Sequence, residues 1–119
     1  NNNDGTTLDS ISSEDVKILA RFSTMLNEKY FRIGKTEGHN CLYIGDMNQS
    51  IDCAKIILNI TNSDNWDETK HFSVEYFNIL YRALGGDESV KVRFTKDKII
   101  MSKKEDNFVK IGIIVSKNM

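Results

Sequence analysis

One segment of this chain is written twice. Residues 11–21 read ISSEDVKILAR and residues 72–82 read FSVEYFNILYR. At a constant offset of 61, Ser12, Glu14, Ile18, Leu19 and Arg21 meet Ser73, Glu75, Ile79, Leu80 and Arg82. Five identities in eleven positions compare with roughly one from random pairing at average composition. Amphipathic helices resemble one another, but the same offset also aligns a strand beyond each helix: Phe31 and Ile33 meet Val92 and Phe94, Arg32 meets Arg93, and Lys35 meets Lys96. One offset that carries both a helix and a strand reads as an internal duplication, and it restricts the fold to two copies of one unit.

Each unit reads as a strand, a helix and three strands. Residues 6–10 suit a short strand. The first helix starts near Ser12 or Ser13, where a hydroxyl precedes Glu14 and Asp15: a capping oxygen followed by negative charge in the first turn. Val16, Leu19, Phe22 and Leu26 form its apolar stripe, with Ile18 and Met25 beside them. Strands follow over 29–35, 39–45 and 51–61, the second and third joined by a polar turn at 46–50. Residues 62–70 read as a loop. The second helix covers Ser73–Leu84, capped by Ser73 and stopped by Gly85-Gly86. Phe77, Leu80 and Leu84 form its stripe, and the repeated Ile79 and Leu80 lie on the packing side. Strands over 89–95, 98–104 and 108–117 close the chain. Repeat one is about 6–61, repeat two about 66–118, and residues 1–5 form a disordered tail or linker remnant outside a single domain at 6–119.

Each helix must lay its stripe on a sheet, so the expected class is α+β, with two helices on one face of antiparallel sheets. Their polar faces then share one surface, bearing Lys17, Arg21, Asn78 and Arg82 with Thr24 nearby. That surface is mildly positive although the 119-residue chain carries a formal net charge of −1. The same charge excludes a strongly basic architectural protein, and a composition 39% hydrophobic and 28% charged excludes a disordered one. The start NNNDGTTLDS lacks a signal-peptide core, and no stretch suits a membrane span. With two cysteines and no CxxC, a cytosolic, reduced protein is expected. The sequons at Asn48 and Asn59 then read as chance.

The segments SISSEDVKILARFST, AKIILNITNSDNWDETKHFSVEYFNIL and DNFVKIGIIVSKNM, in this order of elements, resemble one domain of a DNA polymerase sliding clamp. The nearest resemblance is to the C-terminal domain of the clamps of T-even-type bacteriophages, from about Thr6 to Lys117. It implies the DNA-clamp fold and a non-catalytic processivity factor in the cytoplasm of a bacterial host. Such clamps are rings of six domains, lined by helices and joined edge to edge through sheets, that encircle double-stranded DNA. Lys17, Arg21, Thr24, Asn78 and Arg82 are then the DNA-facing residues, with Asn78 standing where the first repeat has a cation. The implied partners are the replicative DNA polymerase, a clamp loader and further clamp domains. A phage clamp subunit carries two domains and this chain supplies one, so ring closure requires a second. The Asn-rich start suits an interdomain linker. Clamps also bind short hydrophobic peptides; Ile113, Ile114 and Val115 either border such a groove or are core and edge strand.

Other constellations are weak. Cys41 and Cys53 would face each other if a hairpin turn centres on Met47, and His39 and His71 invite a metal reading. Their spacing matches no compact zinc motif, so reduced, half-buried thiols and no metal are expected. No nucleophile-and-base pair and no phosphate-cradling glycine loop is written, so no catalytic residue and no cofactor are expected. Trp66 reads as a partner anchor or as loop packing. The rival function is a stand-alone interaction module that takes peptides by strand addition at an open sheet edge.

Overall fold

The structure, a computed structural model, describes residues 6–8, 11–45, 53–58 and 66–119. The tail at 1–5, the turn at 46–50, the outer ends of the strand expected over 51–61, and residues 62–65 lie outside the described residues. The chain runs β1 (Thr6–Leu8), α1 (Ser13–Leu26), β2 (Tyr30–Thr36), β3 (His39–Gly45) and β4 (Cys53–Ile57). It continues with β5 (Lys70–Ser73), α2 (Val74–Ala83), β6 (Lys91–Phe94), β7 (Lys98–Lys104), β8 (Val109–Val115) and β9 (Lys117–Asn118). Strand, helix and three strands thus occur twice, followed by a two-residue strand.

Both helices begin in the same way. Ser12 Oγ accepts the Asp15 N–H at 3.0 Å and Ser73 Oγ accepts the Tyr76 N–H at 3.1 Å, three residues into each helix. Each cap satisfies a backbone donor that the helix itself cannot, which contributes about 1 kcal/mol. The helices end differently. α1 closes on Asn27 in the left-handed region (φ 55°), whereas after α2 the left-handed positions fall to Gly85 and Gly86 (φ 120° and 68°).

The strands form two antiparallel sheets, ordered β1-β6-β7-β8 and β4-β3-β2-β5-β9. Each unit gives its first strand to the other. Leu8 of β1 lies opposite Val92 of β6, and Phe72 of β5 lies opposite Phe31 of β2. Phe31 and Val92 are themselves 61 residues apart while Leu8 and Phe72 are 64 apart, so the two exchanges join corresponding strands in registers that differ by three residues. Neither unit can complete a sheet without the other. The fold is therefore α+β, with two helices and antiparallel sheets.

α1 packs on β3 and β4, α2 packs on β5 and β8, and the helices touch each other. Val16 and Leu19 of α1 and Val74, Phe77 and Tyr81 of α2 are buried in one core with Phe31, Ile33, Phe72, Val92 and Phe94. The Phe31 ring stacks on Phe72 (centroids 5.7 Å) and meets Phe77 edge-on (5.2 Å). Tyr81 brings a hydroxyl into this core and donates it to the Ile11 carbonyl at 2.6 Å. Burial raises the Tyr81 pKa, so the phenol stays protonated and remains a donor.

Several expectations are corrected here. Ile79 is not on the packing side: it is 49% exposed, and Tyr81 fills the core in its place. Met25, expected beside the stripe of α1, is 69% exposed. Lys70, placed in a loop, opens β5. The final strand is not continuous to 117. It ends at Val115, Ser116 N–H donates to the Asp97 carbonyl, and residues 117–118 cross to pair with β5 in the other sheet. Cys41 and Cys53 are not opposite each other: Cys41 faces Ile57 and Cys53 faces Gly45.

Candidate functional site

The outward faces of the two helices carry the expected residues. Lys17, Arg21 and Thr24, spaced i, i+4 and i+7, are exposed on α1. Arg82 is exposed on α2, one turn beyond Asn78, which is half-buried. No carboxylate of the described residues lies within ion-pair distance of Lys17, Arg21 or Arg82; the ion pair found among them is Lys110 with Glu105, at 3.9 Å. The guanidinium and ammonium groups therefore remain available to an anion in solvent. Thr24 is committed in part, since its hydroxyl donates back to the Ala20 carbonyl at 3.2 Å. The acids Glu14, Asp15 and Glu75 sit in the first turns, where the helix dipole favours them.

A second cationic surface was not foreseen from the sequence. On the sheet face turned away from the helices, β6 and β7 present Lys91, Arg93, Lys98 and Lys104. A depression of about 600 Å³ at the β6–β7 turn is lined by Lys70, Arg93, Lys96 and Lys98, with Asp97. The signal lay in the alternation of KVRF and in KIIMSKK, whose odd and even positions fall on opposite faces. Arg32, the partner of Arg93 in the repeat, is used differently. Its guanidinium lies 4.9 Å from the centre of the Tyr43 ring and donates to the Gly45 carbonyl at 2.7 Å.

Ile113, Ile114 and Val115 belong to the edge strand β8 and line a groove. It has a volume of about 490 Å³, and Tyr76, Ile79, Leu80 and Ala83 of α2 form its other wall. Ile114 is buried, whereas Ile113 and Val115 are 56% and 69% exposed. Gly112 lets the helix sit on this strand, because a Cβ there would come within 2.2 Å of Leu80 Cδ1. The wall that sequence reasoning missed is the exposed edge of α2: Tyr76, to which the sequence assigned no role, and Ile79, which it placed on the packing side.

Trp66 packs against the core and donates its indole N–H to Asn40 Oδ1 at 2.9 Å, which settles it as loop packing. Tyr43 donates to Glu68 in a short hydrogen bond, so the segment after Trp66 is tied across β2 and β3. No disulfide joins the two cysteines. Burial raises the Cys41 pKa to about 11, so the thiol is neutral near pH 7. His39 and His71 lie on different strands, and no group of three or more His, Cys, Asp or Glu that could hold a metal occurs among the described residues. No helix among them is long and apolar enough to cross a membrane.

Comparison with protein-family models, with curated proteins and with solved structures returned no match.

Proposed function

We propose that this chain is a sliding-clamp domain, a non-catalytic DNA polymerase processivity factor that surrounds duplex DNA without reading its sequence. The observation that carries the reading is the doubled strand–helix–three-strand unit with exchanged first strands. It sets α1 and α2 side by side with Lys17, Arg21 and Arg82 pointing outward. A few solvated cations per domain suit a ring that must hold DNA and still slide. Strong phosphate contacts would bind tightly and slow it. Of the four edge strands, β1 and β8 in one sheet and β4 and β9 in the other, the longer ones, β4 and β8, are the proposed junctions with neighbouring domains. The replicative polymerase and a clamp loader are the proposed partners, and the α2–β8 groove is the proposed seat for their hydrophobic peptides.

Titration of duplex oligonucleotides into the protein at low salt tests this reading. Two duplexes of unrelated sequence should associate weakly and equally. Log affinity should fall with log salt at a slope of about −3, as three phosphate contacts require. A strong preference for one sequence, or no association at low salt, would count against it. A second reading, strand addition of a peptide at an open edge, is favoured by the exposed apolar row of β8.

A further inference from the structure

We infer that the cationic depression at the β6–β7 turn seats an extended acidic segment of a partner protein. The first unit shows what such a place holds. There, Arg32 lies opposite Tyr43 and Gly34 opposite Cys41, on the sheet face turned away from the helices. The chain's own Glu68 covers that spot. Tyr43 donates its hydroxyl to the Glu68 carboxylate, and Arg32 donates to the Glu68 carbonyl at 3.5 Å. Gly34 leaves the room, since a Cβ there would come within 3.0 Å of the Glu68 carboxyl carbon. Under this cover Cys41 and Tyr43 are buried, although they point away from the helices.

In the second unit the corresponding pairs are Arg93 with Ile100 and Thr95 with Lys98. Those four residues, with Lys70 and Lys96, line the depression of about 600 Å³. No described segment of the chain lies over Arg93 as Glu68 lies over Arg32, because the residues after β8 run instead to β5 as β9. Arg93 makes no hydrogen bond or ion pair with any described residue. The turn beneath is fixed in advance: the buried Thr95 hydroxyl donates to the Lys98 carbonyl at 2.9 Å and accepts the Lys98 N–H at 3.0 Å. A site already in shape loses less freedom when it binds.

The charge selects an anion, and the precedent selects its kind. Four cations border the depression against Asp97, and Asp67 lies near enough to Lys70 and Lys96 to be held ionised by both. The balance is positive, yet two carboxylates at the rim oppose the dense charge of a nucleic-acid backbone. Half-buried Ile100, standing where the first unit has Tyr43, supplies an apolar floor for the methylenes of a glutamate side chain. A peptide offers both groups that Glu68 offers in the first unit, a backbone carbonyl for the guanidinium and a side-chain carboxylate.

This inference does not rest on the DNA-binding reading, since the depression lies on the face opposite α1 and α2. Fluorescence anisotropy of a labelled peptide, EEWDETEE, which sets the Trp66–Thr69 sequence between glutamates, tests it with the full chain at low salt. The expected result is saturable association that fades as salt is raised. Arg93→Gln with Lys98→Gln should weaken it at least about tenfold. Lys96→Glu with Lys98→Glu, both on exposed side chains, should do the same with an unchanged circular dichroism spectrum. The uncharged peptide QQWNQTQQ should not bind. Lys17→Glu with Arg21→Glu should leave peptide binding as it was, which separates this site from the helix surface. No saturable association, equal binding of the uncharged peptide, or indifference to both double variants overturns the proposal. Duplex DNA that displaces the peptide and loses affinity in the same variants also overturns it, by making the depression a nucleic-acid site.

Discussion

Replacing Phe31 by alanine will cost about 3–5 kcal/mol of folding stability. That is a large part of the roughly 5–15 kcal/mol available to a domain of this size. Phe31 is fully buried, and its ring touches both Phe72 and Phe77. Phe72 comes from the strand that the second unit lends to the first sheet, and Phe77 from the helix of the second unit. Removing the ring leaves a cavity at the seam between units, where neither α2 nor β5 can move in without giving up its other contacts. Val92→Ala, at the equivalent position of the second unit, deletes less volume and no aromatic pair, so its loss should be clearly smaller. Urea unfolding of both variants measures this. A Phe31→Ala loss below about 2 kcal/mol, or one no larger than that of Val92→Ala, would mean that the seam is not where the units are held together.

Reversing three charges, Lys17→Glu, Arg21→Glu and Arg82→Glu together, will weaken duplex association at low salt by at least about a hundredfold. The formal charge of these positions goes from +3 to −3, on side chains that are all exposed. Each change replaces a phosphate attraction by a repulsion. Stability should change little, because surface substitutions away from caps and core usually stay within about 0.5 kcal/mol. Arg82 does lie in the last turn of α2, where a cation is favoured, so a small loss there is expected. The same three reversals moved to Lys91, Arg93 and Lys98 should weaken binding much less. If the two triple variants lose affinity equally, the helices are not the DNA-facing surface.

The helices were legible in the sequence because their signals are local. Ser12 and Ser73 each carry a cap, and a broad apolar stripe follows within one turn. The strands at 39–45 and 98–104 were bounded by turn chemistry and fell where expected. The features that could not be read were set by partners distant in the chain. β5 is four residues long, and only its pairings with β2 across the seam and with β9 make it a strand. β9 exists because the chain leaves β8 at Ser116 and meets β5. The assumption of a symmetrical turn about Met47 misplaced the cysteines by four residues along the ladder. Helical periodicity gave the direction of the stripe of α2 but not its width. Ile79 fell outside the core, and Tyr81 entered it because the Ile11 carbonyl was there to receive its hydroxyl. The candidate site was legible to the same degree. The cations of α1 and α2 were visible as the polar sides of two repeated helices. The cationic outer face of β6 and β7 depends on sheet register, and so does the apolar edge of β8.

The measurement that bears most directly on the clamp reading is a residue-resolved map of where duplex DNA touches this chain. Amide resonances can be followed by ¹H–¹⁵N correlation spectroscopy as duplex is added at low salt. The prediction is that shifts concentrate on the outward sides of α1 and α2, at Lys17, Arg21, Thr24, Asn78 and Arg82, and fade together as salt is raised. Shifts centred instead on Lys91, Arg93, Lys96 and Lys98, with the helices silent, would contradict it and move any nucleic-acid surface to the opposite face of the domain.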